Sequence, residues 1–287
     1  MMRIKDAFAH LPNRKRDRPA TARSDAARSA TRRAEPAPPP PGFVIGPPDF
    51  VGVGAQKAGT TWWFRLIEAH PGVYQSPDQR PELHFFDRFH EGWLTPADIE
   101  RYHRHFPRPP GMITGEKTPE YLADHWVPRM LREAAPDCRI IVLLRDPIER
   151  YRSAHAHDDQ RESLSGRRAE NDMFQRGFYA RQLERLHGSF APERVLVLQY
   201  ERCVAEPAAQ LARTYQFLDL PPHAIADEEL RLPRNRTRAE KADLPAQRRS
   251  LLRDEYEPDV RALRAIVPDL DLSLWPDFAH LAEGDVP

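Results

Sequence analysis

The chain is short of cysteine, of lysine and of long apolar runs, and each shortage removes a class of explanation. Its two cysteines, Cys138 and Cys203, are too few for a disulfide framework and lack the paired spacing of a metal site. Both are expected in the core or on a helix, where a thiol behaves as a small hydrophobe. The longest aliphatic run, at 140–144, falls far short of the ~20 apolar residues of a membrane span. No apolar h-region follows the basic start, as a secretory leader requires. No integral membrane contact is therefore expected, and the location expected is cytoplasmic.

An excess of one charge is missing too: 43 Lys and Arg balance 43 Asp and Glu. The balance is uneven along the chain, because residues 1–42 hold 10 basic against 4 acidic side chains and leave 33 against 39 beyond. Segment 1–42 is rich in Arg, Ala, Ser and Pro and ends in "EPAPPPPG". With so little apolar surface to bury it is expected to be a disordered basic tail. The remainder, 43–287, is long enough to bury a substantial core as a single domain. Its net acidity makes it a poor partner for nucleic acid, which is bound by neutralising many phosphates with Lys and Arg.

Lysine is the most informative scarcity. The chain has 5 Lys against 38 Arg, and after residue 42 only Lys57, Lys117 and Lys241 occur. A sequence that uses Arg nearly everywhere and Lys inside two motif-like segments needs a compact ammonium there, for which a guanidinium fork is no substitute.

What is present reads as alternating strands and helices. "DFVGVG" predicts a buried strand ending in glycines, followed by a helix over 60–70 that stops before Pro71. A strand is expected near "GVYQSP", an extended piece at "ELHFFD", helices over 96–106 and 125–134, and a strand at "MITGEK". "RIIVLLRDP" is the clearest strand, and Pro147 is well placed for the first turn of the next helix. A polar loop at 158–172, helix to 187, strand "RVLVLQY", helix 207–218, a basic loop at 231–241 and a last helix over 244–266 complete the reading. This order predicts an α/β fold with a P-loop-like parallel sheet and helices on both faces.

The segment "GAQKAGTTWW", residues 54–63, keeps the G-x-x-x-x-G spacing of a nucleotide loop in Gly54 and Gly59. Thr60 stands where the nucleotide lysine belongs, and Lys57 lies inside the loop instead. A glycine loop between strand and helix aims backbone N–H groups at an anion. ATP chemistry needs more, namely the lysine after the last glycine and a hydroxyl and carboxylate for magnesium. Thr61 supplies a hydroxyl, but the best strand ends in "LLRDP", where Arg145 precedes the carboxylate. Arginine there suits a second anion better than a metal.

These segments resemble the sulfotransferases that use 3′-phosphoadenosine 5′-phosphosulfate (PAPS). "GAQKAGTTWW" is similar to their 5′-phosphosulfate loop and "VLLRDPIERYRSAHAH" to their 3′-phosphate motif. "PELHFFD" and "GEKTPEYL" resemble segments of the heparan-sulfate-type branch and its bacterial relatives, and the likeness runs through "RGFYARQLERL" and "VLVLQYERCVAEP". The resemblance implies that the amides of Ala58, Gly59, Thr60 and Thr61, with the two threonine hydroxyls, cradle the phosphosulfate. It places Lys57 against the bridging oxygen, where negative charge grows as the sulfuryl group leaves. Arg145 and Ser153 would clamp the 3′-phosphate. Glu82 matches the branch's general base, with His84 on the same face if the piece is extended. Pro81 replaces the lysine usual before that glutamate. Lys117 matches a second active-site lysine, near the sulfuryl group or the acceptor, with Glu116 beside it.

The implied reaction is in-line transfer of a sulfuryl group to a hydroxyl or amine of a small-molecule, carbohydrate or lipid acceptor, with no metal. A P-loop nucleoside or sugar kinase and a non-catalytic nucleotide-binding adaptor are the alternatives. "HAHDD" at 155–159 is a weak metal candidate, since histidines two apart on a helix diverge, and "HRH" at 103–105 is expected on the surface.

Overall fold

The computed structural model describes residues 38–76, 81–90, 92–161, 167–231 and 243–282. Short apolar runs make its strands: β1 (Val44–Ile45), β2 (Phe50–Gly54), β3 (Pro107–Arg108), β4 (Gly115–Lys117), β5 (Arg139–Leu144) and β6 (Val195–Gln199). The helices are α1 (Thr60–Glu68), α2 (Pro96–His103), α3 (Val127–Ala134), α4 (Pro147–Arg161), α5 (Arg167–Gln175), α6 (Tyr179–His187), α7 (Tyr200–Ala205), α8 (Pro207–Phe217), α9 (Asp227–Arg231) and α10 (Ala246–Ile266).

Four strands form one parallel sheet in the order β4-β2-β5-β6. All five residues of β2 are buried, as are all of β5 except Arg139, which is how a strand reads when helices cover both faces of its sheet. The chain leaves β2 toward β4 and leaves β5 in the opposite direction, toward β6. Right-handed crossovers then place the connecting helices on opposite faces. They also open a crevice between the carboxyl ends of β2 and β5, the usual position of a ligand in an open α/β sheet. Gly52 lets helix and sheet meet closely, because a Cβ there would stand 2.1 Å from the Phe64 ring of α1.

Several boundaries differ from expectation. The segment at "GVYQSP" makes only an isolated parallel bridge, Val73 to Ile113, too short to be a strand. The piece at "ELHFFD" is not extended: His84 has φ 52° and a 3-10 turn, Phe86–Phe89, follows at once. Much of the polar stretch at 158–172 is helical, in the end of α4 and the start of α5, because Phe174 anchors α5 against Tyr256 of α10. Tyr200 does not end strand β6 but begins α7. Residues 232–241 of the expected basic loop and 1–37 of the expected tail at 1–42 lie outside the described residues, and Arg231 ends α9. Both cysteines are buried and free, as expected. His103 is not a bare surface residue, since its Nε2 lies 2.7 Å from the carbonyl of Ala134 at the end of α3.

Beyond α10 the chain returns to the sheet. Trp275 is fully buried and its indole N–H donates to Glu201 Oε2 at 2.8 Å, while Oε1 of the same carboxylate accepts from the Asp146 amide at 3.0 Å. The C-terminal turn thereby supports the residue next to Arg145.

Candidate active site

The loop after β2 is tied to β5 by the Ala55 amide, which donates to the Leu143 carbonyl at 2.8 Å. Lys57 (φ 70°) and Gly59 (φ 87°) both adopt left-handed backbone. Such alternation curves successive amides into a concave anion nest, here continuous with the N-terminus of α1. Among the described residues the amides of Gly59, Thr60 and Thr61 have no backbone acceptor, and Gly59 offers no side-chain cap. Ala58 departs from expectation, because its amide turns inward to the Ala55 carbonyl at 3.1 Å. It is part of the loop's frame and is not free to hold an anion.

Gly59 is required twice over. Its φ disfavours any side chain, and a Cβ would stand 2.6 Å from the Tyr200 ring. Gly59→Ala is expected to lower stability by about 1–3 kcal/mol, the usual cost of a side chain in a strained backbone region. Chemical denaturation with an unchanged midpoint would contradict this account of the loop.

Across the crevice, Arg145 follows β5. Its Nη1 donates to the Lys57 carbonyl at 3.3 Å and its guanidinium lies 5.0 Å from the Tyr200 ring centroid. Its Nε is buried without a hydrogen-bond partner. Asp146 turns away from the crevice to cap α4, accepting from the amides of Ile148 at 2.8 Å and Glu149 at 3.1 Å. Burial pushes its pKa up to about 7, which these bonds only partly offset. Ser153, two turns into α4, is 6 % exposed. The P-loop and Arg145 are thus brought together by a direct bond, whereas Ser153 lies deeper along α4.

On the other flank of β2, strand β4 delivers Lys117. Its buried Nζ lies 2.9 Å from Glu82 Oε1 and 3.4 Å from the Pro81 carbonyl. The contact to position 81 is to the backbone carbonyl and so does not depend on which residue stands there. Glu82 Oε2 faces His84 Nε2 at 3.4 Å, and His84 Nδ1 faces Asp87 Oδ2 at 3.0 Å. The left-handed turn at His84, not an extended strand, brings imidazole and carboxylate together. Partial burial works to raise the Glu82 pKa, but the bond from His84 and the Lys117 charge outweigh it and bring it to about 2. Burial works against a charged His84, yet bonds to Asp87 and Glu82 lift its pKa to about 10. An imidazole with a carboxylate at each nitrogen donates from both and is an imidazolium at neutral pH.

Glu116 lies beneath this array, fully buried. It accepts from Tyr102 OH at 2.8 Å and from Thr118 Oγ1 at 2.9 Å. Thr118 Oγ1 in turn accepts from the His84 amide at 3.3 Å. Burial raises the Glu116 pKa to about 7 despite the two bonds. The chain Tyr102, Glu116, Thr118 holds the backbone of His84, so Glu116 supports the site from behind and does not line it.

Glu82, His84 and Glu120 each offer a ligand atom, all within 4.8 Å of one another; among the described residues this is the one such grouping that a cation would fit. His155 is part of no such grouping there.

A family model described as the sulfotransferase domain matches residues 47–257. The chain belongs to the sulfotransferase family. Members use PAPS as donor, in keeping with a loop for one anion and an arginine for a second. Heparan sulfate glucosamine 3-O-sulfotransferase 3B1 from Mus musculus is 31% identical over 189 residues, 60% of this chain and 46% of that protein. The human bifunctional heparan sulfate N-deacetylase/N-sulfotransferase 3 is 29% identical over 210 residues, 64% of this chain and 23% of that protein. The chain thus spans less than half the length of these relatives. Among solved structures, a sulfotransferase from Alicyclobacillus acidocaldarius superposes with TM-score 0.64 at 26% identity, covering 81% of this chain and all of that one. Sulfotransferase STF9 from Mycobacterium avium shares the fold, with TM-score 0.50 at 16% identity over 79% of this chain and 78% of that one.

For this sulfotransferase, sequence reasoning missed an aromatic shelf beside Arg145. The Trp62 ring meets Tyr200 edge-on at 6.2 Å, and the Trp62 indole N–H donates to the Leu230 carbonyl at 3.1 Å. Such a shelf offers apolar surface to a flat heterocycle next to a bound phosphate. The signal was visible as the first tryptophan of "GTTWW", but its partner Tyr200 comes from 138 residues further on and only the fold brings them together.

Proposed function

We propose that this chain moves a sulfuryl group from PAPS to a hydroxyl or amine of a carbohydrate acceptor, leaving adenosine 3′,5′-bisphosphate (PAP). The observation that carries the reading is the pair of flanks around β2: a guanidinium, Arg145, on the β5 side and an ion-paired carboxylate, Glu82 with Lys117, on the β4 side. A donor on the loop has its nucleotide end toward Arg145, Ser153 and the Trp62–Tyr200 shelf. Its sulfuryl end then faces Lys117 and Glu82. Carbohydrate is chosen because the relatives above are named for action on heparan sulfate.

In this reading the amides of Gly59, Thr60 and Thr61 orient the phosphosulfate, and Lys57 neutralises the bridging oxygen as the S–O bond breaks. Glu82 takes the proton from the attacking group. His84, held as an imidazolium, has no lone pair to act as base and serves to orient Glu82. A base held near pKa 2 is weak. The incoming sulfuryl anion competes for Lys117, however, and weakening that ion pair raises the basicity of Glu82 when the donor is bound.

The test is transfer of label from sulfur-35 PAPS to a panel of sugars, phenols and lipids, run beside labelled ATP with magnesium. Incorporation from PAPS into sugars is expected; phosphorylation from ATP alone would make the chain a kinase. Activity is also expected to persist in excess chelator, because the ligand atoms of Glu82 and His84 are already engaged with each other and with Lys117 and Asp87. Loss of activity restored by a divalent cation would instead assign Glu82, His84 and Glu120 as a metal site.

A further inference from the structure

A cleft of about 430 Å³ runs along the outer side of α1, bounded by Thr61, Arg65 and Glu68 on that helix and by Pro81, Lys117 and Glu229. Its volume lies within the ~300–1,000 Å³ typical of small-molecule sites. Thr61, Arg65 and Glu68 recur at i, i+4 and i+7, so they line one helix face over about 10 Å at 1.5 Å per residue. One end of the cleft is therefore the end of the loop at Thr61, with Lys117, the partner of Glu82, also in the lining, and the other lies two turns away. The cleft reaches Lys117, on the β4 flank, and touches Trp62 of the aromatic shelf, but it does not include Arg145, on the β5 flank.

Of its polar lining, Lys117 is paired with Glu82, whereas the two charged residues of the α1 face are not so engaged. Among the described residues neither the Arg65 guanidinium nor the Glu68 carboxylate makes a hydrogen bond or ion pair with another side chain, although Glu68 is only partly exposed. Two carboxylates, Glu68 and Glu229, face two cations, Arg65 and Lys117, so the lining is charge-balanced and presents both acceptors and donors. It suits hydroxyl groups, which donate to carboxylates and accept from arginine. Burial raises the Glu68 pKa, with Lys117 and then Arg65 opposing that rise, so the carboxyl is already partly dehydrated before a ligand arrives.

We propose that this cleft is the acceptor subsite, that it takes the hydroxyl-rich sugar ring carrying or adjoining the reacting group, and that Glu68 and Arg65 select for it. The inference rests on the sulfuryl-transfer reading and adds to it the residues that choose the acceptor. Phenolic acceptors, which lack hydroxyls for these two side chains, are disfavoured.

The experiment uses the full chain and its Glu68→Ala and Arg65→Ala variants, with a uronate–glucosamine disaccharide and p-nitrophenol as acceptors. Both positions are on the helix's outer face, so folding is checked by Tm. Each variant is expected to raise the disaccharide KM by about 10–100-fold, the scale of one hydrogen bond to a charged group. The kcat should move far less, and the Kd for PAP by calorimetry should be unchanged. Titration of the disaccharide into the PAP complex should show the same loss of affinity, a readout independent of turnover. An unchanged KM and affinity, or a parallel rise in the PAP Kd, would overturn the assignment; the second outcome would give the cleft to the nucleotide. Faster use of p-nitrophenol than disaccharide by the wild-type chain would overturn the sugar preference. If the wild-type chain transfers sulfate to nothing, the function proposed above fails. The calorimetric arm still decides the cleft: disaccharide binding that the variants weaken supports it, and no binding by the wild-type chain overturns it.

Discussion

Glu82→Gln is expected to lower kcat by about 10²–10⁴-fold, the usual worth of a positioned general base. The amide keeps the shape of the side chain and can still accept from Lys117, so the loss should appear in kcat and leave the Kd for PAP nearly unchanged. The neighbours make the prediction specific. Lys117 and His84 hold Glu82 ionised, with a pKa of about 2, and His84 is held charged up to about pH 10. The free-enzyme profile of kcat/KM should therefore be flat from pH 5 to 9 as far as these groups decide it. Lys117→Met removes the cation that lowers Glu82 and should move an acidic limb up into the measured range. A Glu82→Gln enzyme of near-normal kcat would shift the base to another group.

The same pair of groups sets a stability dependence with opposite signs. Glu82 has its pKa depressed on folding, so its contribution is present above its unfolded value of about 4.5 and is lost as pH falls toward 2. His84 has its pKa raised, so its contribution is present below about 6.5 and is lost as pH rises toward 10. Removing the Glu82 charge should lower the His84 pKa, which a histidine titration by NMR reads directly.

The parts of this fold that were legible are those whose cause is local. "DFVGVG" followed by a glycine loop, and "RIIVLL" followed by Asp and Pro, carry their burial, their turn and their helix start in adjacent residues, and both strand–helix junctions occur where expected. The β2 loop and Arg145 were legible for the same reason. What was not legible depends on distant partners. His84 leaves the extended region because Thr118 holds its amide and Asp87 holds its ring, from 34 and 3 residues away. The inward turn of the Ala58 amide is local but is a matter of backbone angles, left-handed at Lys57 and Gly59, which residue types alone do not specify for a lysine. The helix α5 looked like loop because its polar surface dominates the composition, while contacts that hold it come from far along the chain: Phe174 on Tyr256 spans 82 residues and Glu170 with Arg248 spans 78. The shelf of Trp62 and Tyr200 and the closing turn at Trp275 were missed on the same ground.

Lys57→Ala tests the other half of the mechanism. The side chain is one of only three lysines after residue 42, and it sits in a loop whose backbone is left-handed at that position. An ammonium beside the bridging oxygen gains most where charge is greatest, which is in the transition state as the S–O bond breaks. The expected result is a fall in kcat of about 10²–10³-fold, the scale of one lost electrostatic stabiliser, with a much smaller change in the Kd for PAP. Lys57→Arg should recover little, since the wider guanidinium cannot occupy the place of a compact ammonium within a turn this tight. The split between the two constants decides the role. A variant that binds PAPS poorly but turns over normally would show that Lys57 only holds the ground state, and stabilisation of the leaving group would then have to come from Lys117 or from the amides of Gly59, Thr60 and Thr61.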